Sequence, residues 1–210
     1  AQPYALGETK DWFQDRGNDS PEIPAMNARP AGSVRRPARA TGLELEDFVA
    51  ASQRAQAAGL QVLIEHVRRR KGETGGLALW QWNEPWPAIC WSVIDYFGRP
   101  KLAMATLRRI MQPLLVSLEY PLRPYRAGDR LAGRLWLVND GLDSLADCTL
   151  RVSLDGVTVQ AQRCNLPRNR ASDAGPLALT LPAGFRELRL ELRHGNALLA
   201  ENVYDLRFHD

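Results

Sequence analysis

Gly75-Gly76-Leu77-Ala78-Leu79-Trp80-Gln81-Trp82-Asn83-Glu84-Pro85-Trp86-Pro87 is the stretch on which the fold turns. A short apolar run between turn residues suits a buried parallel strand. Pro85 and Pro87 lack the N–H that a ladder needs, so the strand ends at Asn83-Glu84. Upstream, Glu44 to Lys71 predicts a long helix. Leu45, Phe48, Val49, Ala55, Leu60, Leu63, Ile64 and Val67 recur at near-helical spacing. Glu44, Glu46 and Asp47 suit its positive end, and Arg68-Arg69-Arg70-Lys71 its negative end, which explains the basic run better than a ligand site does. Gly72 suits a C-terminal cap, and His66 reads as an ordinary surface or half-buried residue. Downstream, Ile89 to Phe97 is a second apolar stretch reaching Gly98. A second helix follows from about Pro100 to Met111, stopped by Pro113.

From Leu114 the period changes to 2. Candidate strands lie at Leu114–Leu118, Leu131–Leu137, Leu150–Leu154, Val157–Val159, Leu177–Leu181, Leu188–Leu192 and Leu198–Leu206. Turn signals separate them, among them Asn139-Asp140-Gly141, Asp155-Gly156 and His194-Gly195-Asn196. Seven short strands with such turns predict an immunoglobulin-like β-sandwich. Trp136 reads as a core residue. Simple pairing across the Asp155-Gly156 turn puts Arg163 opposite Cys148, so that Cys164 points to the other face and no disulfide is expected.

The composition narrows the classes. At 210 residues, 45% hydrophobic and 24% charged, the chain suits one or two globular domains. It is shorter than a complete (β/α)₈ barrel of about 250 residues. No apolar run approaches the roughly 20 residues of a membrane helix, so no membrane partner is expected. Net charge is +3. The 15 basic and 12 acidic residues up to Gln112 supply all of it, since the remainder holds 12 of each. That excess is too weak and scattered for nucleic acid. Among the basic residues only Lys10, Lys71 and Lys101 are lysine, which reads as genomic codon bias. Cys90, Cys148 and Cys164 show no metal-ligand spacing, so neither metal nor cofactor is expected, and reduced thiols point to the cytoplasm. No secretory signal pattern opens the chain, and the missing initiator Met suggests a processed or excised piece. Residues 1–42 are irregular. Arg35-Arg36-Pro37-Ala38-Arg39 reads as a solvated loop, whereas Trp12-Phe13 and Ile23 suggest packing on something. His194 and His209 are isolated.

One constellation carries chemistry. Four of the six tryptophans, Trp80, Trp82, Trp86 and Trp91, surround Asn83 and Glu84. Indole faces stack on the apolar C–H faces of sugar rings, while Asn and carboxylate groups bond the hydroxyls, the pattern of a small-ligand site. Trp80 and Trp86 are the candidate sugar contacts, with Asn83 and Glu84 as polar partners. Trp82 and Trp91 read as core.

Gly76 to Pro87, followed by Trp91-Ser92-Val93-Ile94-Asp95-Tyr96-Phe97-Gly98-Arg99-Pro100-Lys101, resembles the last barrel strand and following loop of family 2 glycoside hydrolases. The β-mannosidase-like branch is the nearest. Its members carry a Trp-Gln-(apolar)-Asn-(Asp or Glu) strand end and a Ser-x-x-Asp-Tyr-(apolar)-Gly-(basic)-x-Lys segment. The helix with Leu45-Glu46-Asp47-Phe48-Val49 and Ser52-Gln53, and the ending Glu201-Asn202-Val203-Tyr204, are similar too, so the resemblance covers about residues 43–210. It implies an α/β plus all-β chain. Residues 1–112 would be the C-terminal end of a TIM barrel, and residues 113–210 the immunoglobulin-like sandwich. It further implies a retaining glycosidase with two glutamates, one on the fourth strand and one on the seventh. No Ser-Glu-Phe-Gly-like nucleophile run occurs in residues 1–42, where Glu8 and Glu22 sit in unlike contexts, so no catalytic residue is assigned. Trp80 matches the sugar-binding floor, and Asn83 and Glu84 the polar rim beside it. Members often have Asp where this chain has Glu84 before a proline.

The expectation is therefore the C-terminal region of a hydrolase of β-linked sugars, β-mannoside favoured, inactive alone. Its partners would be the carbohydrate substrate and the remainder of the barrel. The alternative is a non-catalytic carbohydrate-binding or structural module, and for residues 113–210 the structural role is preferred.

Overall fold

A computed structural model of the chain describes residues 45–206. The expectations for Arg35–Arg39, Trp12-Phe13, Ile23 and His209 fall outside the described residues. Two helices precede seven strands: α1 (Leu45–Arg69), α2 (Leu102–Ile110), β1 (Leu114–Glu119), β2 (Arg130–Asn139), β3 (Leu145–Leu154), β4 (Val157–Leu166), β5 (Arg170–Thr180), β6 (Glu187–His194) and β7 (Ala197–Asp205). Acidic Glu46 and Asp47 open α1, and His66, Arg68 and Arg69 close it. Gly72 follows at φ 94°, a left-handed position that glycine adopts without strain.

The strands form two antiparallel sheets, β1-β2-β5 and β4-β3-β6-β7. Leu131, Leu135 and Leu137 of β2 face Leu150, Val152 and Leu154 of β3 and Leu188, Leu190 and Leu192 of β6 across one core. The Asp155-Gly156 turn joins β3 to β4 with Leu154 opposite Val157. Both turn residues have positive φ, 47° and 84°, as a two-residue hairpin matching strand twist requires. Pro176 is tolerated inside β5 because β5 is an edge strand.

Four expectations change. Residues 77–82 form no paired strand; only an isolated bridge joins Asn83 to Ile94. A buried parallel strand is flanked by strands on both sides, and the described residues supply neither. The described part of the segment expected as a barrel end is accordingly a helix, a long loop and a second helix. Cys148 lies directly opposite Cys164, not Arg163. A bulge between Val152 and Ser153 inserts Val159, so Gln160 pairs with Val152 and every later partner shifts by one. Cys164 therefore packs against the same core as Cys148, and both remain free thiols. Finally, Trp136 is half-buried on the outer face of its sheet, its Nε1 donating to Glu119 Oε2 at 2.9 Å.

The helices cover part of that outer face. Ile64 of α1 and Met104, Leu107 and Ile110 of α2 pack with Leu115 and Val138, which are paired across β1 and β2. This second core explains why alternation fails in Leu114-Leu115-Val116 and Leu137-Val138: both faces of the sheet are buried there. A polar cluster completes the joint. The buried Glu65 carboxylate accepts from Asn202 Nδ2 (2.6 Å), Tyr204 Oη (2.8 Å) and Gln61 Nε2 (2.9 Å), and pairs with Arg69 at 3.5 Å. At the helix end, Arg68 reaches Asp140 at 2.8 Å and Lys71 reaches it at 2.6 Å. The basic run thus clamps helix to sandwich, besides complementing the dipole. His66 is half-buried.

Candidate carbohydrate-contact loop

Between the helices the chain makes one long excursion, residues 83–92. Its neck is pinched where Val93 N (3.1 Å) and Ile94 N (3.0 Å) both donate to Trp82 O. The Trp80–Gln81 peptide is cis. Trp80 precedes the neck and Trp86 lies on the excursion, and they are 76% and 65% exposed. Trp82 and Trp91, expected in a core, are 55% and 47% exposed instead. The nearby core is built from Ile64, Val93 and the apolar face of α2, and none of these four indoles is among its members. Asn83 is exposed as well.

Glu84 is the exception, at 6% exposure. Its Oε1 accepts from Ser92 Oγ at 2.6 Å and from Lys101 Nζ. Lys101 also donates to Cys90 O (3.0 Å) and Ser92 Oγ (3.1 Å). Burial raises the Glu84 pKa, but the bonds from Lys101 and Ser92 and the lysine's charge outweigh it, and the carboxyl settles below its ordinary value. The carboxylate expected at the sugar rim is thus held beneath the loop in an ion pair. From α1, Gln56 Nε2 donates to Trp91 O (2.6 Å) and Ser92 O (3.1 Å).

The segment after the neck has its own logic. Asp95 Oδ1 accepts from Phe97 N (2.9 Å) and Arg99 N (2.8 Å), while Oδ2 accepts from Arg99 Nε (2.8 Å). Gly98, at φ 78°, lets the chain double back. That turn delivers Lys101 to the loop. Lys101 and Ser92 stood in the sequence pattern without a role. The missed signal was a lysine at the N-cap of α2, whose first turn has no acidic residue. A cation is disfavoured there unless something else holds it.

Among the described residues no cluster of three or more His, Cys, Asp or Glu is placed to hold a metal. A hollow of about 260 Å³ lies at the far end of α1, lined by Val67, Arg68, Lys71, Leu77 and Asp140 among others. Its two cations, Arg68 and Lys71, both pair with the Asp140 carboxylate. No described helix is long and apolar enough to cross a membrane.

With this geometry in place, similarity to known proteins becomes informative. No family model matches the chain. β-Mannosidase B of Aspergillus flavus is 37% identical over 81 residues, 37% of this chain and 10% of that protein. β-Mannosidase B of Aspergillus niger is 36% identical over 81 residues, with the same shares. The match thus spans 10% of the length of these curated relatives. Among solved structures, the β-D-mannosidase of Dictyoglomus thermophilum superposes with a TM-score of 0.62 at 24% identity, over 78% of this chain and 20% of that one. The exo-β-D-glucosaminidase CsxA gives 0.60 at 18% identity, over 86% and 21%. Over the stretches that align, the chain is similar in sequence to β-mannosidases and in fold to part of a β-mannosidase and of an exo-β-D-glucosaminidase. These similarities support a resemblance to the C-terminal region of β-mannosidase-like glycoside hydrolases of family 2.

Proposed function

We propose that the chain forms the C-terminal end of a retaining glycosidase acting on β-linked sugars, with β-mannosides favoured. In this reading Trp80, Trp86 and Asn83 make part of the wall of the sugar site. Glu84, whose carboxylate is buried with Lys101 and Ser92, serves that wall from beneath. The sandwich is a structural frame, and the remaining barrel is the partner that brings both catalytic carboxylates. One observation carries the proposal: four indoles stay exposed around a loop whose interior is a buried ion pair. Exposed indoles suit stacking on sugar faces, and a site at the end of a barrel strand is where barrel enzymes work. The names of the relatives support the sugar class.

The 210-residue chain, titrated with methyl β-D-mannoside while tryptophan emission is followed, is expected to show a saturable change that Trp80→Ala removes. It is also expected to leave nitrophenyl β-mannoside unhydrolysed, because retaining chemistry needs two carboxylates about 5–5.5 Å apart. Turnover by the chain, abolished by Glu84→Gln, would overturn this reading. A flat titration at millimolar sugar would instead favour a purely structural module.

A further inference from the structure

We propose that Lys101 is a positioning residue for the tryptophan loop, fixing from beneath the shape in which Trp86 meets a β-linked sugar. The sugar rests on the function proposed above; the fixing of the loop rests on geometry alone. Residues 83–92 carry Trp86, Ile89 and Trp91, all exposed, so the loop has no apolar interior to hold it. Its interior is polar instead. A lysine ammonium has three N–H groups, and Lys101 directs them at three acceptors from three loop residues: Glu84 Oε1, Cys90 O and Ser92 Oγ. Gln56 Nε2 of α1, donating to the carbonyls of Trp91 and Ser92, holds the end of the loop from a second element. Lys101 thus ties the first residues of the excursion to its last. Without it, Glu84 is a covered carboxylate that has lost its counter-charge and keeps only the neutral partners Ser92 and Cys90, a costly state that the loop escapes by opening. The backbone placement supports the same role. Lys101 is the N-cap of α2, where an ammonium has no acceptor to offer the helix's free N–H groups, and the bonds of that ammonium go to the loop.

The test compares the wild-type chain with Lys101→Met, Lys101→Arg and Ser92→Ala by nuclear magnetic resonance of the tryptophan indole N–H groups. Trp136 is the internal reference, because its Nε1 is bonded to Glu119 in the sandwich. Lys101→Met is expected to displace or broaden the loop indoles while Trp136 keeps its position, which separates loop movement from unfolding. Lys101→Arg is expected not to restore them, since a planar guanidinium cannot converge on three acceptors as an ammonium does. Ser92→Ala removes one bond and is expected to give a smaller displacement of the same signals. Should Lys101→Met fail to fold, that milder variant decides the matter. Methyl β-D-mannoside is expected to bind Lys101→Met about tenfold more weakly than wild type. Loop indoles that coincide in wild type and Lys101→Met overturn the positioning role, whatever the sugar does. A wild-type chain indifferent to the sugar overturns the sugar part, and the indole comparison still decides the loop.

Discussion

Replacing Asn202 by alanine is expected to loosen the joint between the helices and the sandwich. Asn202 is fully buried. Its Oδ1 accepts from Gln61 Nε2 (3.1 Å), Arg109 Nε (3.1 Å) and Val203 N (3.0 Å). The two hydrogens of its Nδ2 are shared among Glu65 Oε1 (2.6 Å), Val116 O (2.9 Å) and Tyr204 Oη (3.0 Å). Two of these bonds reach charged groups, Glu65 and Arg109, and such bonds are worth about 1.5–3 kcal/mol each; a neutral buried bond such as that to Val116 adds about 1. Counting those three gives about 4 kcal/mol or more, a large share of the roughly 5–15 kcal/mol that stabilises a domain. With a slope of about 2 kcal/mol per molar urea, the unfolding midpoint of Asn202→Ala falls by about 2 M. Asn202→Asp is a sharper probe at almost the same volume. It replaces the donor that lies 2.6 Å from Glu65 Oε1 with an acceptor oxygen, so two carboxylates face each other. Its stability should be poorest near neutral pH and recover as acid supplies a shared proton. Urea titrations followed by circular dichroism measure both. A loss under about 1 kcal/mol for Asn202→Ala, or an Asn202→Asp variant indifferent to pH, refutes the account of the joint.

Other outcomes follow from the same structure. Gly133→Ala should destabilise by about 1–3 kcal/mol, because the new Cβ meets the Glu119 carbonyl oxygen and lies 3.0 Å from Leu118 Cδ1; an unchanged melting temperature would count against it. Trp80→Ala and Trp86→Ala should each shift stability by no more than about 0.5 kcal/mol, since both rings are exposed, while abolishing the response to sugar. Burial raises the Glu65 pKa, outweighing Arg69, Asn202, Tyr204 and Gln61. A folded-state pKa above the unfolded one stabilises most in acid, and that contribution is lost as pH rises through the folded value. The stability of Glu65→Gln relative to wild type should therefore improve as pH rises above the ordinary carboxylate range, and urea midpoints that keep a constant difference across that rise would exclude it.

The sandwich was legible because its strands bury one face each. Leu150-Val152-Leu154 and Leu188-Leu190-Leu192 alternate cleanly, and two-residue turns at Asp155-Gly156 and Gly195-Asn196 separate the hairpin strands. Register was less legible. A bulge leaves no mark in the pattern of β4, whose residues are mostly exposed or half-buried, so the Cys148–Cys164 pairing stayed hidden. The length of β4 and β5 was hidden for the same reason, since Gln160 to Asn165 and Arg170 to Ala174 carry little apolar signal. At the loop, the tryptophans announced themselves by number, but which of them are exposed did not follow from residue type. Trp82 and Trp91 are as apolar as any core residue and still face water.

The helix α1 shows why polar residues hid most of the joint. Its leucines and valines suggested the buried side, yet Leu45 and Val49 are exposed and only Ile64 and Glu65 are fully buried. The side that makes the contacts runs through Gln53, Gln56, Leu60, Gln61, Ile64, Glu65 and Arg68, spaced by three and four residues as one helical face requires. Gln53 Oε1 accepts from Leu102 N at 3.0 Å, where α2 begins, and Gln56 holds the tryptophan loop. One to three turns later, Gln61 and Glu65 bond Asn202 and Tyr204 of β7, and Arg68 bonds Asp140 after β2. A hydrophobic period cannot detect a face built from amides, a carboxylate and a guanidinium. A buried side of this kind nevertheless specifies position more narrowly than leucines would, because each bond fixes a distance and a direction, whereas apolar contact tolerates sliding. The helix therefore sets the tryptophan loop at a defined place relative to the sandwich, and a substitution in β7 at Asn202 acts on the same rigid element that carries Gln56 under the loop.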